Sequence, residues 1–317
     1  MPRIELGRPP RPVAPAGTPL RVAFWNAERC KHLDDSAALL RRAAAEVNLL
    51  CEMDLGMARS GQAHTTRELA ERMGHGYAFA IEFIELGLGN APERRRHAGA
   101  RNSAGLHGAA ILSRHALERP ALIRLERDGD WFDGSRGERR VGGRIALAAR
   151  LPLAGASVTV VSVHLESHGD PDQRADQTAR LLGAVDRYAD GGPVVIGGDF
   201  NTNSAPRNLA ADPAARRALL AEDATRLVDP VPYEPLFQVA AAAGYDWHAC
   251  NAPGPTVRSG TDGAAAPPLG KLDWFFARGL RASDPAMVPA VAEDGVTAIS
   301  DHELLAVSIA PITGDPR

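Results

Sequence analysis

The chain has 317 residues, 44% hydrophobic and 24% charged, with a formal net charge of −3. That length holds one large domain or two ordinary ones, and no apolar run is long enough to span a bilayer. The acidic balance, with a sequence pI near 6.4, disfavours nucleic acid as a partner without excluding it, because a polyanion binder is usually basic.

Residues 1–19 are rich in proline and arginine and lack the apolar centre of a signal peptide, so they predict an extended or disordered lead. No linker, charge block or solenoid-length repeat divides the middle, which predicts a single domain over 20–311 and a tail at 312–317. The first strand is "LRVAFWN" (20–26), followed by a helix over 34–47 that opens on capping candidates and keeps an Ala/Leu spacing. Strands "VNLLCE" (47–52) and "YAFAIEF" (77–83) come next, then a long loop over 86–105. "GAAILS" (108–113), "GGRIALAARL" (142–151) and "SVTVVSVHL" (157–165) read as strands, and 170–189 as a helix with Ala175, Thr178, Leu182, Val185 and Tyr188 near one face. "PVVIGG" (193–198), a long loop over 250–270, "LDWFFA" (272–277) and "LLAVSI" (304–309) complete the series. Strands and helices mix without a strict βαβ alternation, which predicts layered α/β sheets rather than a doubly wound nucleotide fold. Cys30, Cys51 and Cys250 make no disulfide framework or metal-ligand spacing, which favours a reducing, cytoplasmic location.

Polar residues recur at the strand ends. Asn26 ends the first strand and Glu52 the second; His164 sits near the end of "VVSVHL"; Asp273 opens a strand, and Asp301 with His302 precedes the last. In "VVIGGDFNT" (194–202), alternation puts Asp199 and Asn201 on one face, and Gly197 and Gly198 leave room beside them for backbone or a ligand. A plain strand-to-loop turn accounts for the same residues. Strand ends gather at one edge of a layered sheet, where clefts form. Oxygen donors without cysteine suit a hard cation, Mg2+ or Mn2+, and an Asp beside a His supplies an oriented acid–base pair. Together they are equipped for attack of water on phosphorus.

Seven short pieces carry a resemblance: "FWN" (24–26), "CE" (51–52), "GAAILSR" (108–114), "VHLES" (163–167), "GGDFN" (197–201), "LDWFF" (272–276) and "SDH" (300–302). In this order the chain resembles the endonuclease/exonuclease/phosphatase superfamily of DNase-like, metal-dependent phosphohydrolases. The resemblance implies a four-layer α/β sandwich of two packed, mostly antiparallel sheets flanked by helices, with the site at one edge. It implies Asn26, Glu52 and Asp301 as metal ligands, and His302, oriented by Asp273, as the histidine on the phosphate. Asp199 matches the residue that positions or deprotonates the attacking water, Asn201 its companion, and His164 a second histidine whose carboxylate partner is Glu82 or Glu85. On this reading the glycines clear space for a phosphate.

Departures are equally informative. Where many relatives carry "YGN" before the "A-I-L-S" strand, this chain has "HGA", so His107 replaces a tyrosine and Ala109 an asparagine. The "NAERC" after the first strand is unlike the apurinic endonucleases, and Glu303-Leu304 follow "SDH" where most relatives have a proline. His107, Arg59, His64 and Arg144 are the remaining substrate-binding candidates, with solvent exposure the plain alternative for Arg144. Arg174 and Gln177 serve either packing or contact, and "RRRH" (94–97) is a solvated run or a phosphate-attracting rim. The expected cleft is walled by 53–66 and 86–105. The leading expectation is a phosphodiesterase, or a phosphomonoesterase, acting on a small or lipid-like ester. A DNA or RNA nuclease is the alternative, and a silent binding module the third.

Overall fold

Burial alternates along the strands with period two, and the alternation assigns each face to a different core. In Val47–Leu55 (β3), Val47, Leu49 and Cys51 enter one core while Leu50 and Met53 enter a second. In Ala156–His164 (β9), Val158 and Val160 join the first core and Val161 and Val163 a third. The first core lies between two sheets. The second packs one sheet against helices Leu33–Ala43 (α1) and Thr65–Met73 (α2), and the third packs the other against Pro171–Ala189 (α4) and Leu236–Ala242 (α7). The result is the expected four-layer α/β sandwich. The computed structural model describes residues 4–11, 14–126, 131–153, 155–202, 213–258 and 270–312.

The larger sheet runs Ile4–Gly7 (β1), Gly76–Glu85 (β4), Leu106–Ser113 (β5), β3, Leu20–Arg29 (β2), Leu304–Pro311 (β13) and Leu280–Val288 (β12), with Arg140–Gly142 (β7) also paired to β4. The smaller runs Asp273–Arg278 (β11), Val194–Asp199 (β10), β9, Ile145–Leu153 (β8) and Glu118–Arg124 (β6). Pairing is antiparallel except between β2 and β3 and between β9 and β10. The remaining helices are Ala91–Arg96 (α3), Pro213–Glu222 (α5) and Thr225–Val228 (α6). Among the described residues no helix is long and apolar enough to cross a membrane.

Differences from the sequence reading have local causes. The lead carries an edge strand, since β1 pairs with Tyr77 to Ala80. The first helix stops at Ala43 because Ala44 adopts a left-handed C-cap. The 86–105 loop holds α3, started by a capping box in which Asn90 accepts from the Glu93 N–H and Glu93 accepts from that of Asn90. Part of the 250–270 loop (259–269), the tail beyond 312 and parts of the lead lie outside the described residues.

Candidate active site

Register brings the strand-end residues together. Asp199 pairs across β10 with His164 on one side and Asp273 on the other. Asn26 pairs with Cys51, next to Glu52, and His107 with Asp54. Asn26, Glu52, His107, Arg144, His164, Asp199, Asn201 and His302 all line one cavity of about 340 Å³.

His302 and Asp273 form a buried pair. The His302 Nδ1 lies 2.9 and 3.1 Å from the two Asp273 oxygens, while its main-chain N–H donates to Ser300 Oγ at 3.0 Å. Burial opposes the imidazolium, but the Asp273 and Asp199 charges outweigh it, so the His302 pKa stands well above the usual histidine value. Its Nε2 lies 3.8 Å from Asp199 Oδ2, the oxygen that also accepts from Asn26 Nδ2 at 3.1 Å and lies 3.5 Å from His164 Nε2. Burial pushes the Asp199 carboxyl up to about 6, the imidazolium of His302 opposing the rise. Asn201 sits behind it at φ 50, its N–H donating to Asp199 Oδ1 and its amide to Leu165 O, both at 3.0 Å.

His164 is the opposite case. Arg144 Nη1 lies 3.1 Å from its Nδ1, and because arginine can only donate, that nitrogen is the acceptor and Nε2 carries the proton. Burial first and then the Arg144 charge hold its pKa well below the usual value, so the ring is neutral. Neither carboxylate expected as its partner touches it. Glu82 accepts from Arg144 at 2.8 Å, and Glu85 lies with Arg59 and Arg140. Arg144 thus stands between His164 and Glu82. It is buried, not solvent-facing, and also donates to Glu166 at 3.3 Å.

Oxygen-bearing groups at the strand ends are the candidates for a cation. Glu52, at φ 57, accepts from Asn26 Nδ2 at 3.2 Å through Oε1 and pairs with Arg29 through Oε2. Asp199, Asp273 and His302 each offer a ligand atom, all within 4.8 Å of one another. Of the oxygen groups lining the cavity, Asn26 and Glu52 suit a hard divalent cation, with Asn26 Oδ1 also accepting from the Glu28 N–H at 3.1 Å. Asp301, expected beside them as a ligand, is not among the residues lining the cavity. Its carboxylate makes no hydrogen bond among the described residues, and its main-chain oxygen accepts from the Arg258 N–H at 2.8 Å. It acts on the site by helping to hold the His302 proton.

Two substrate candidates turn inward instead. Arg59 is buried, donating to both Asp54 oxygens at 2.8 and 2.9 Å and to Glu93 at 3.2 Å. No residue of the 53–66 segment is among those lining the cavity, so it builds no wall there. His64 caps α2, accepting from the Arg67 N–H, and its other ring nitrogen lies 3.1 Å from Glu5 on β1. His107 does reach the cavity. Its Nδ1 lies 2.8 Å from Asp54 Oδ1 and 3.2 Å from Arg59 Nη2, Nε2 has no hydrogen-bond partner among the described residues, and burial drops its pKa to about 3. The glycines also serve packing. A Cβ on Gly197 would meet Phe275, Leu49 and Phe24 within 2.9 Å, and one on Gly198 would meet Val163 Cγ1 at 2.2 Å, so Gly197 lets the two sheets close and Gly198 fits against Val163 of β9, each serving packing rather than room for phosphate.

The sequence reading missed the cavity's outer wall. Asn90, Ala91 and Arg94 of α3 and its cap form one side, as part of the expected 86–105 segment. Trp131, Arg136, Glu138 and Arg140 form the other. Glu166 accepts from Trp131 Nε1 at 2.9 Å and pairs with Arg136 at 2.7 Å, tying this wall to the end of β9. The signal available was the tryptophan among charged residues in "WFDGSRGERR" (131–140). Arg174 and Gln177 resolve as packing. Arg174 makes a buried bidentate pair with Glu234 at 2.6 and 3.0 Å, and Gln177 holds the Glu166 N–H at 2.9 Å.

The model of the endonuclease/exonuclease/phosphatase family matches residues 23–302. Among solved structures, an endonuclease/exonuclease/phosphatase from Beutenbergia cavernae DSM 12333 is similar over 92% of this chain and 71% of its own, at 19% identity and a TM-score of 0.61. The human Nocturnin catalytic domain with bound sulfate is similar over 98% and 97%, at 17% identity and 0.56. A mannosyl-6-phosphatase from Bacteroides thetaiotaomicron VPI-5482 is similar over 92% and 99%, at 14% and 0.57. At such identities the likeness is one of fold. No curated protein matches the sequence.

Proposed function

This chain belongs to the endonuclease/exonuclease/phosphatase family, and on that premise we propose that it hydrolyses a compact phosphate ester, foremost a diester, by attack of water at phosphorus. The observation that carries the reading is the convergence on Asp199 Oδ2 of Asn26 Nδ2 and the Nε2 atoms of His164 and His302, at 3.1, 3.5 and 3.8 Å.

Each residue has a part in that chemistry. Asp199, ionised above about pH 6, orients the water and takes its proton, while Asn26 fixes the carboxylate. His302, kept cationic by Asp273, donates from Nε2 to a phosphoryl oxygen as negative charge develops there. His164 offers a second, neutral Nε2–H donor, aimed by Arg144. Asn26 and Glu52 would hold Mg2+ or Mn2+, which would supply neutralisation of the negative charge developing on the ester.

A cavity of about 340 Å³, walled by α3 and 131–140, is the size of a small ligand. The name of the mannosyl-6-phosphatase among the similar structures accords with a small ester. Three buried, unpaired cysteines accord with a reducing compartment such as the cytoplasm. The test is a panel of bis(p-nitrophenyl) phosphate, p-nitrophenyl phosphate, sphingomyelin, apurinic duplex DNA and single-stranded RNA, each with Mg2+ and with Mn2+. The small diester should be turned over most efficiently. Faster cleavage of DNA, falling log-linearly with salt as multiple phosphate contacts demand, would replace this reading with a nuclease.

A further inference from the structure

Immediately after Asn26 the backbone does something rare. Glu28, Arg29 and Cys30 take φ values of 43, 72 and 51°, three successive non-glycine residues in the left-handed region. The register of β2 against β3 shifts over the same residues, between Asn26 and Arg29. Such a bulge re-aims a side chain, and here it sends the Arg29 guanidinium into the cavity. There it pairs with Glu52 Oε2, while Nη2 lies 3.3 Å from Glu138 and Nε 3.6 Å from Glu93. Asn26 donates to the other oxygen, while Oε2 faces Arg29 as an ion pair without a formed hydrogen bond.

We infer that Arg29 is a built-in competitor for the cation, holding Glu52 in the empty site and yielding it when a divalent ion binds. This rests on the reading of Glu52 as a cation ligand. A guanidinium and a metal ion held by one carboxylate repel each other, so each weakens the other's hold on Glu52. Glu138 and Glu93 already flank the guanidinium, so Arg29 keeps two carboxylates after releasing Glu52. The arrangement lowers cation affinity, because binding includes the loss of the Arg29–Glu52 pair. It also frees one face of the guanidinium for a phosphate oxygen only in the loaded site, so cation and phosphate favour each other's binding.

The test is calorimetric titration of the full chain with Mn2+ alone, then with inorganic phosphate in the presence and absence of Mn2+. Arg29→Met keeps the side-chain bulk and removes the charge; it should bind Mn2+ at least tenfold more tightly than the wild type. Mn2+ should raise phosphate affinity less in this variant than in the wild type. If Arg29→Met does not fold, Arg29→Lys carries the test, since a point charge on a flexible stem holds Glu52 less firmly than the guanidinium fork, and affinity should rise by about threefold or more. An unchanged or weaker Mn2+ affinity in the folded variant overturns the inference, as does an absence of Mn2+ binding in both proteins. Hydrolysis of the small diester with no change in Mn2+ affinity removes the inference and leaves the proposed function standing. Tighter Mn2+ binding without hydrolysis does the reverse.

Discussion

Replacing Asp273 with asparagine isolates the charge that holds the His302 proton. The change is isosteric, and the Asp273 main-chain N–H keeps its bond to Thr256 Oγ1 at 3.0 Å. What is lost is a charged acceptor at 2.9 and 3.1 Å from Nδ1 in a fully buried pair. A hydrogen bond to a charged group is worth about 1.5–3 kcal/mol, which converts to about one to two pKa units on His302. The His302 proton is then held less firmly, and kcat should fall by about 10²–10⁴, the usual worth of an oriented acid–base group. KM should move far less, since binding does not depend on this proton alone. Steady-state kinetics on the small diester give the split, and a nitrogen NMR titration of His302 gives its pKa directly. A folded Asp273→Asn protein with near-normal kcat, or with an unmoved His302 pKa, would refute the reasoning.

Three further outcomes follow from the same geometry. The log of kcat/KM should climb with pH and level off above about 6, as Asp199 loses the proton that burial stabilises, and Asp199→Asn should abolish the limb along with most activity; a flat profile down to pH 5 in the wild type contradicts this. His107 is neutral in the fold with a pKa near 3, below its unfolded value, so its contribution is complete above about pH 6.5 and is lost as pH falls, at about 1.4 kcal/mol per pH unit. Urea melts at decreasing pH should show that slope, and His107→Asn should flatten it. Arg174→Met removes the guanidinium from the buried Glu234 carboxylate and should cost about 3–5 kcal/mol in the same melts, with Arg174→Met/Glu234→Leu recovering much of it.

What the sequence made legible was whatever depends on local pattern. Period-two apolar runs such as "SVTVVSVHL" and the polar residues ending them located the central strands, and hence the cavity edge. The edge strands β6 and β12 escaped for a physical reason. Pro120 lies in β6 and Pro285 in β12, and each strand carries a register shift, so neither reads as a ladder even though proline is tolerated at an edge. Charge partners were the least legible. Arg144 in a strand looks the same on paper whether it faces water or sits between His164 and Glu82. Arg59 and His64 were plausible on the cavity side until the Asp54 and Glu5 contacts, set by folding, drew them away from it. Arg29 left only the odd "NAERC" as a trace, because its role depends on three left-handed residues that no propensity favours.

Attack of water at phosphorus is the central claim, and hydrolysis in water enriched in heavy oxygen tests it most directly. With Mn2+ present, mass spectrometry of the products of a small alkyl diester should find one heavy oxygen in the phosphate monoester and none in the alcohol. The label should fail to appear in either product with His302→Ala over the same time. Heavy oxygen in the alcohol, or wild-type rates of labelling by His302→Ala, would contradict the account.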